Sequence, residues 1–456
     1  MPYTVDEGEG VFLFVFYLLL GHTARLTGFS LIFIFHSARL LSAVIFLIAL
    51  RQFLNKINLA DIDLTEPRSI QVGNSLFAYS CILSCFGSGF GWLASSMGKM
   101  TADFWVAEAF PFLSAFTSPH FTLGMALLLF LLSFHKKNGL KNTITVWIIG
   151  CLLALVMPFG AVVGGIVLAL SALWDWYKTR HLYFYPALSV LMGAGLILSI
   201  QYWKILNDPY LSDWNQQNIT ISPSIVDLVV SYSPALFMAA VGTYYIWRRN
   251  RLQEYGVLLL WFFSSILLTV IPFSLQRRFM FAQYLPIAIL AVQGLRFLPK
   301  KQFRSAFILL LVFSILTNIL LLMSGVLAVR AGNPRLVLSS DEREMLDWID
   351  SHLDENAVIL CSPEMGNFVP AYTDSKVLYG HPFETVNAKQ MEMYVTSFFD
   401  GSMGLDGLKS IVDEYQVTYI LYGPRERELG TPDAIDEFKM VHRNETISLY
   451  EVGADF

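Results

Sequence analysis

The sequence predicts a mainly α membrane protein, a polytopic bundle of about ten transmembrane helices followed by a smaller soluble α/β domain. Three observations predict it. The 456 residues are 55% hydrophobic and only 15% charged, with a mean hydropathy of +0.53, too much apolar surface for an ordinary soluble globule. Apolar runs of roughly 20 residues, the length that crosses a hydrocarbon core of about 30 Å, recur from residue 29 to residue 328. From Asn333 onward the composition turns charged and mixed, and strand-like and helix-like segments alternate.

The apolar segments fall near 29–52, 73–97, 121–135, 142–157, 160–177, 182–203, 223–247, 254–273, 279–297 and 304–328. Helices are predicted because a transmembrane barrel would show short alternating strands instead. The connecting loops alternate in charge. Arg51, Lys56 and Arg68; His135, Lys136, Lys137 and Lys141; Lys178 and Arg180; Arg248, Arg249 and Arg251; and Lys300, Lys301 and Arg304 form one set, which the positive-inside rule places in the cytoplasm. Loops 98–120, 157–160, 204–222 and 274–278 are poor in Lys and Arg, apart from Lys99, Lys204, Arg277 and Arg278, and are read as outward. Residues 1–28 and the tail are then outside as well. The short apolar stretch Gly10 to Leu20 reads as a helix lying at the outer interface, with a tilted crossing by 11–26 as the alternative.

In the tail, helices are expected at Asp341 to His352, Glu384 to Phe399 and Leu405 to Tyr415. Strands are expected at Ala357 to Cys361, Lys376 to Tyr379, Val417 to Tyr422 and Ile447 to Val452. The expected domains are thus residues 1–28 as outer loop and interfacial helix, 29–328 as membrane domain and 333–456 as soluble domain. The four cysteines, Cys81, Cys85, Cys151 and Cys361, offer neither a disulfide framework nor a zinc spacing. No GxGxxG turn, phosphate loop or hydrolase signature is present, and no basic tract points to nucleic acid. The N-terminus has no cleavable signal pattern.

Chemistry concentrates in the outward loops. Loop 98–120 carries Asp103, Glu108 and His120 at the rim of apolar helices, residue types that serve as general bases or ligate a divalent cation. On spacing alone, the plainer reading is a solvated loop with Asp103 as a helix cap. Asp6, Glu7 and Glu9 are assigned to the same side. Arg277 and Arg278 break the charge rule at the outer ends of two segments, where paired guanidiniums match a phosphate or else snorkel to lipid headgroups. Asn207 and Asp208 in the outward loop after Trp203 are candidates to line the same cavity. His36 and Arg39 read as snorkelling groups. Gly87-Ser88-Gly89-Phe90-Gly91-Trp92 and Gly164-Gly165 read as close-packing sites between helices.

Taken together, several stretches carry a family resemblance: Tyr17 to Gly28, Phe35 to Leu40, Gly87 to Leu93, Trp105-Val106-Ala107-Glu108-Ala109, Ser118-Pro119-His120-Phe121 and Leu206-Asn207-Asp208-Pro209. Gln276-Arg277-Arg278-Phe279, Tyr379-Gly380-His381-Pro382-Phe383-Glu384-Thr385 and Tyr422-Gly423-Pro424-Arg425-Glu426-Arg427 complete the set. In these the chain resembles the GT-C superfamily of integral-membrane glycosyltransferases, within it an uncharacterised bacterial subgroup related to the mannosyltransferase and aminoarabinose-transferase branch.

The resemblance implies transfer of a sugar from a polyprenyl-phosphate or polyprenyl-pyrophosphate carrier to a glycan, lipid or protein acceptor on the outer face of a bacterial plasma (inner) membrane. It implies Asp103 and Glu108 as catalytic carboxylates, with Mg or Mn if a cation is used, and Arg277 and Arg278 as holders of the carrier phosphate. Asp6, Glu9, His120, Asn207 and Asp208 would line the cavity. It calls for no nucleotide, haem, flavin or nucleic acid. Members carry an essential acidic residue in a first outward loop that this sequence begins after, so the resemblance also reads as N-terminally truncated. The rival classes are a lipid or solute transporter or flippase, and a non-catalytic scaffold, including an inactive glycosyltransferase. A transporter predicts internal repeats and ionisable groups at the bilayer midplane; here polar residues crowd helix ends instead.

Overall fold

A computed structural model describes residues 3–5, 12–57, 67–272 and 274–453. It divides into two compact units. The larger comprises Phe12–Tyr202 and Thr220–Ser324; the smaller comprises Met1–Val11, Trp203–Ile219 and Gly325–Phe456.

The larger unit is helical throughout. Among the described residues six helices are long and apolar enough to cross a membrane, or seven if the bent pair Ile225–Tyr232 and Ala235–Arg248 is one span. That pair turns through 82° at Ser233–Pro234, where the peptide bond is cis and the proline ring interrupts the helical ladder. Three further apolar helices, Pro119–Leu132, Leu140–Val156 and Gly256–Val270, are shorter than a full crossing. At the N-terminus the helix is Val15–Thr27, closed by Gly28 in the left-handed region.

At the centre of this unit lies Tyr284–Gly294, in which every residue is buried. A helix apolar all round belongs in the middle of a bundle. Its closest neighbour is Ala235–Arg248, and the approach depends on two glycines. A Cβ on Gly242 would overlap the Leu290 carbonyl, and one on Gly294 would overlap the Met238 carbonyl. Gly164 faces the side-chain ends of Leu128 and Leu131, which would have to shift to admit a Cβ. The Gly242 and Gly294 contacts are with backbone and that of Gly164 is with leucine side chains, close approaches of the kind small residues permit between apolar helices.

The apolar stretch 73–97 is broken. The helix Pro67–Phe86 ends, residues 87–90 leave helical geometry, and a short helix resumes at Gly91–Ser95. Breaking a helix frees backbone groups that must find partners away from water. The long helix Lys300–Arg330 supplies them from a polar stripe. Ser88 N–H donates to Ser314 O (2.7 Å), Trp92 N–H to Thr317 Oγ1 (3.0 Å), and Asn318 Nδ2 to Phe86 O (2.7 Å). Thr317 Oγ1 in turn donates to Gly89 O (3.0 Å).

The smaller unit contains a five-stranded sheet. Its strands are β1 (Val358–Leu360), β2 (Lys376–Val377), β3 (Tyr419–Tyr422), β4 (Lys439–Arg443) and β5 (Ser448–Glu451), ordered β2-β1-β3-β5-β4. The β2-β1-β3 half is parallel; β3-β5-β4 is antiparallel. The inner strands read as buried apolar runs, as two-sided strands do. β4 is an exposed edge with an irregularity between Met440 and His442, and its mixed sequence carries no apolar alternation to mark it. The flanking helix Ser340–His352 starts with a capping box between Ser339 and Glu342. Glu342 also forms a buried ion pair with Arg425, whose Nε lies 2.7 Å from Glu342 Oε1, and Arg425 Nη1 donates to Pro334 O (2.5 Å). The Gly423-Pro424-Arg425 turn is thereby tied into the interior.

Candidate active site

Loop 98–120 folds as short helical turns, Ala102–Trp105 and Pro111–Thr117, and two of its backbone groups anchor another polar stretch. Ala282 N–H donates to Glu108 O (2.8 Å) and Tyr284 N–H to Ala109 O (3.2 Å). These bonds bring residues 276–284 against the loop. Ala282 sits at φ 58°, a left-handed conformation costing a non-glycine residue about 1–2 kcal/mol, and its bond to Glu108 helps hold that geometry.

Side chains then converge. Glu108 is buried, and its Oε1 lies 3.4 Å from Arg278 Nη1 and 3.7 Å from Arg277 Nε. Arg277 stacks over Trp105, Cζ 5.2 Å from the ring centroid. The two guanidiniums keep 18% and 33% of their side-chain surface exposed, for Arg277 and Arg278 respectively. One carboxylate and two cations leave the cluster with a net positive charge. Arg277 Nε is a buried donor with no hydrogen-bond partner among the described residues. The neighbouring segment 220–222 is held by Thr220 N–H to Ser274 O (2.7 Å), Arg277 N–H to Thr220 O (3.0 Å) and Ser222 N–H to Gln276 Oε1 (3.1 Å). Its hydroxyls Thr220 Oγ1 and Ser222 Oγ are also buried without a partner among the described residues. Unpartnered buried polar atoms are uncommon enough in native structures to require an explanation.

Asp103 has a different setting. Its side chain is 0% exposed, and both oxygens are occupied. Thr101 Oγ1 donates to Oδ1 (2.6 Å); Gly91 N–H (3.0 Å), Gly89 N–H (3.2 Å) and Ser88 Oγ (3.4 Å) donate to Oδ2. The carboxylate fills the cradle of the broken helix, so closely that a Cβ on Gly91 would overlap it. Burial pushes its pKa above the ordinary carboxylate value, against the pull of the Thr101 and Thr317 hydroxyls and the Gly91 N–H. The glycine-rich stretch presents N–H groups to Asp103, and it is also the close-packing site expected from the sequence: a Cβ on Gly89 would overlap the Ser231 carbonyl and one on Gly87 the Tyr284 hydroxyl.

The remaining candidates divide. His120 Nδ1 is 2.7 Å from the Tyr17 hydroxyl and within electrostatic reach of Arg278. Arg39 does not simply snorkel: its Nε donates to Ala115 O (3.1 Å), with His36 Nδ1 3.3 Å from its Nη1. Asn207 and Asp208 belong to the smaller unit. There Asn207 Nδ2 bonds Trp203 O in its own helix (2.7 Å), and Asp208 caps the helix Pro209–Gln217 through Leu211 N–H (3.1 Å). Asp6, Glu7 and Glu9 lie outside the described residues.

Asp227 was not singled out by the sequence. Its Oδ1 accepts from Ala102 N–H (2.9 Å) and Ser231 Oγ (2.8 Å), so it pins the loop one residue from Asp103. The only sequence signal was Ser224, which caps that helix through the Asp227 N–H. Trp105 was marked only as part of a resemblance stretch, not as a partner of Arg277. Among the described residues no group of three or more His, Cys, Asp or Glu side chains is placed to hold a metal ion. The donors at hand do not fit one either: Asp103's oxygens are engaged, and Glu108 faces two guanidiniums that repel a further cation.

No protein-family model and no curated protein matches the chain. Solved structures do. The oligosaccharyltransferase of Archaeoglobus fulgidus tethered through a disulfide bond to an acceptor peptide containing an NVT sequon aligns at TM-score 0.50 and 11% identity, over 92% of this chain and 62% of that one. The archaeal oligosaccharyltransferase AglB from the same organism, in complex with an inhibitory peptide and a dolichol-phosphate, aligns at TM-score 0.52 and 10% identity with the same coverage. A complex of the A. fulgidus enzyme with Zn and sulfate gives TM-score 0.50 and 12% identity, over 92% and 60%. The chain therefore spans about 60–62% of the length of these neighbours, and at such identities the likeness is one of fold alone: a helical architecture with several apolar helices long enough to cross a membrane.

Proposed function

We propose that the chain is a membrane glycosyltransferase that moves a sugar from a polyprenyl-phosphate or polyprenyl-pyrophosphate carrier to an acceptor at the membrane's outer face. The observation that carries the reading is the cluster of Glu108, Arg277 and Arg278, assembled from residues 170 apart in sequence. The fold likeness to oligosaccharyltransferases, one of them in complex with a dolichol-phosphate, supports the same class. In this reading the seven crossings counted with the bent pair and the three shorter apolar helices make up ten, in a bacterial plasma membrane with the C-terminal residues outside.

The proposed reaction is a single displacement at the anomeric carbon. The acceptor oxygen bonds to that carbon as the bond to the carrier phosphate oxygen breaks, and the electron pair leaves with the phosphate. Arg277 and Arg278 bind the phosphate and stabilise its growing charge, and preorganised cations act most strongly where charge develops in the transition state. Glu108, at the edge of this cationic pair, orients the acceptor and takes its proton. Asp103 acts as a positioning residue: it holds loop 98–120 on the broken helix and so fixes where Glu108 stands. These steps use only groups of this chain.

The test mixes purified protein with polyprenyl-phosphate sugars and follows sugar release. Loss of release in both Glu108→Gln and Arg277→Ala, with folding retained, is the expected outcome. Release equal to wild type in both variants would sink the assignment.

A further inference from the structure

A second cationic site lies at the other end of the same helices. Tyr284, at the start of the central helix, contacts loop 98–120, while Arg296 and Phe297 follow its last residue, about 18 Å further along at 1.5 Å per residue. There Arg248, Arg249, Arg296, Tyr245 and Phe297 line a cavity of about 330 Å³. Arg249 and Arg296 both stack on the Tyr245 ring, with Cζ at 5.6 and 5.3 Å from its centroid. Arg296 also donates to Gln293 Oε1 (3.3 Å).

Three guanidiniums around one cavity repel one another unless negative charge is supplied. Between Asp227 and Asp341 the sequence contains one acidic residue, Glu254, and it pairs with Arg251. Among the described residues no carboxylate forms an ion pair with Arg248 or Arg249. The helix carbonyl ends at Arg248 and Gly294 contribute roughly half a negative charge each, about one against three. Against Arg248 and Arg249 alone, the balance stays positive by about one charge. The surroundings are those of a membrane interface: Trp247, Tyr244 and Phe297 expose 61%, 46% and 46% of their surface beside the cavity, as aromatic residues at headgroup level do.

We propose that this cavity binds the phosphate of an anionic phospholipid headgroup, with the guanidiniums clasping the phosphate oxygens and the exposed aromatic rim lying among the upper acyl carbons. Planar guanidiniums suit phosphate oxygens bidentately, and basic pockets between transmembrane helices are suited to such headgroups. The site is separate from the Glu108 cluster and does not depend on the reading of that cluster.

The test is native mass spectrometry of the full-length protein released from micelles containing phosphatidylglycerol or phosphatidylcholine, with and without millimolar inorganic phosphate. Wild type is expected to retain one phosphatidylglycerol in preference to phosphatidylcholine. The Arg248→Gln/Arg249→Gln double variant is expected to weaken that retention on the order of thirtyfold, from about 1 kcal/mol per basic residue removed. Equal retention of the two lipids by wild type would overturn the proposal whatever the variant does. So would retention by a folded variant unchanged from wild type. Protection by inorganic phosphate without lipid retention would overturn the assignment to a lipid.

Discussion

Replacing Glu108 by Gln keeps the side chain's size and removes the one negative charge facing Arg277 and Arg278. At 3.4 and 3.7 Å, with an effective dielectric constant of about 20, each pairing is worth ~4–5 kcal/mol before desolvation and screening. Both arginines are partly exposed and Glu108 pays a desolvation cost to be buried, so the net destabilisation expected is ~2–3 kcal/mol. A bound polyprenyl phosphate would supply the missing negative charge, so the deficit should shrink when that lipid is added. The assay is thermal unfolding in detergent for wild type and Glu108→Gln, each with and without polyprenyl phosphate, alongside sugar release. The variant should melt lower without lipid, recover most of the difference with it, and lose transfer by a factor of about 10²–10⁴, the usual share of a general base. A melting gap that the lipid leaves unchanged, together with wild-type transfer, would refute the argument that Glu108 and a phosphate share these two arginines.

Asp103→Asn should behave differently: its amide cannot accept from all four donors, so stability falls by ~1–3 kcal/mol for each one left unpaired, and added polyprenyl phosphate should not restore it, as the same melts would show. Gly242→Leu would drive a side chain into the Leu290 backbone, so a loss of ~3 kcal/mol or more is expected; a purified variant melting like wild type would contradict the close approach of these helices. In the smaller unit, burial holds the Glu426 pKa above its ordinary value of 4.5 despite hydrogen bonds from Ser362 and Gly423. The stability it contributes is therefore fully present below pH 4.5 and is lost as pH rises through the raised value. Glu426→Gln should remove that downward slope from a pH series of melts, and an unaltered slope would show that Glu426 does not titrate as its burial implies.

Much of the larger unit was readable because its causes are local. A run of roughly 20 apolar residues must satisfy its backbone internally, and each of the ten expected segments contains helix. The helix Leu405–Tyr415 stands at its expected bounds, since its apolar residues repeat at helical spacing. The interruptions were less readable. Gly87, Gly89 and Gly91 weaken a helix but read equally as close-packing sites, and the partners that stabilise the break, Ser314, Thr317 and Asn318, lie more than 220 residues away. β4 escaped notice because an edge strand with mixed side chains has no period to detect.

The candidate site divides along the same line. By itself the sequence determined which groups carry charge and that loop 98–120 and the Arg277-Arg278 pair interrupt apolar segments, because residue type and hydropathy are properties of the chain before it folds. Only the tertiary structure decided that Glu108 meets both arginines and that Asp103 is enclosed by backbone N–H groups. It also decided that Asp227 pins the loop at Ala102. Hydrogen-bond occupancy, burial and the distance between charges arise from which remote segments pack together, and that packing sets how each group ionises and what it can bind.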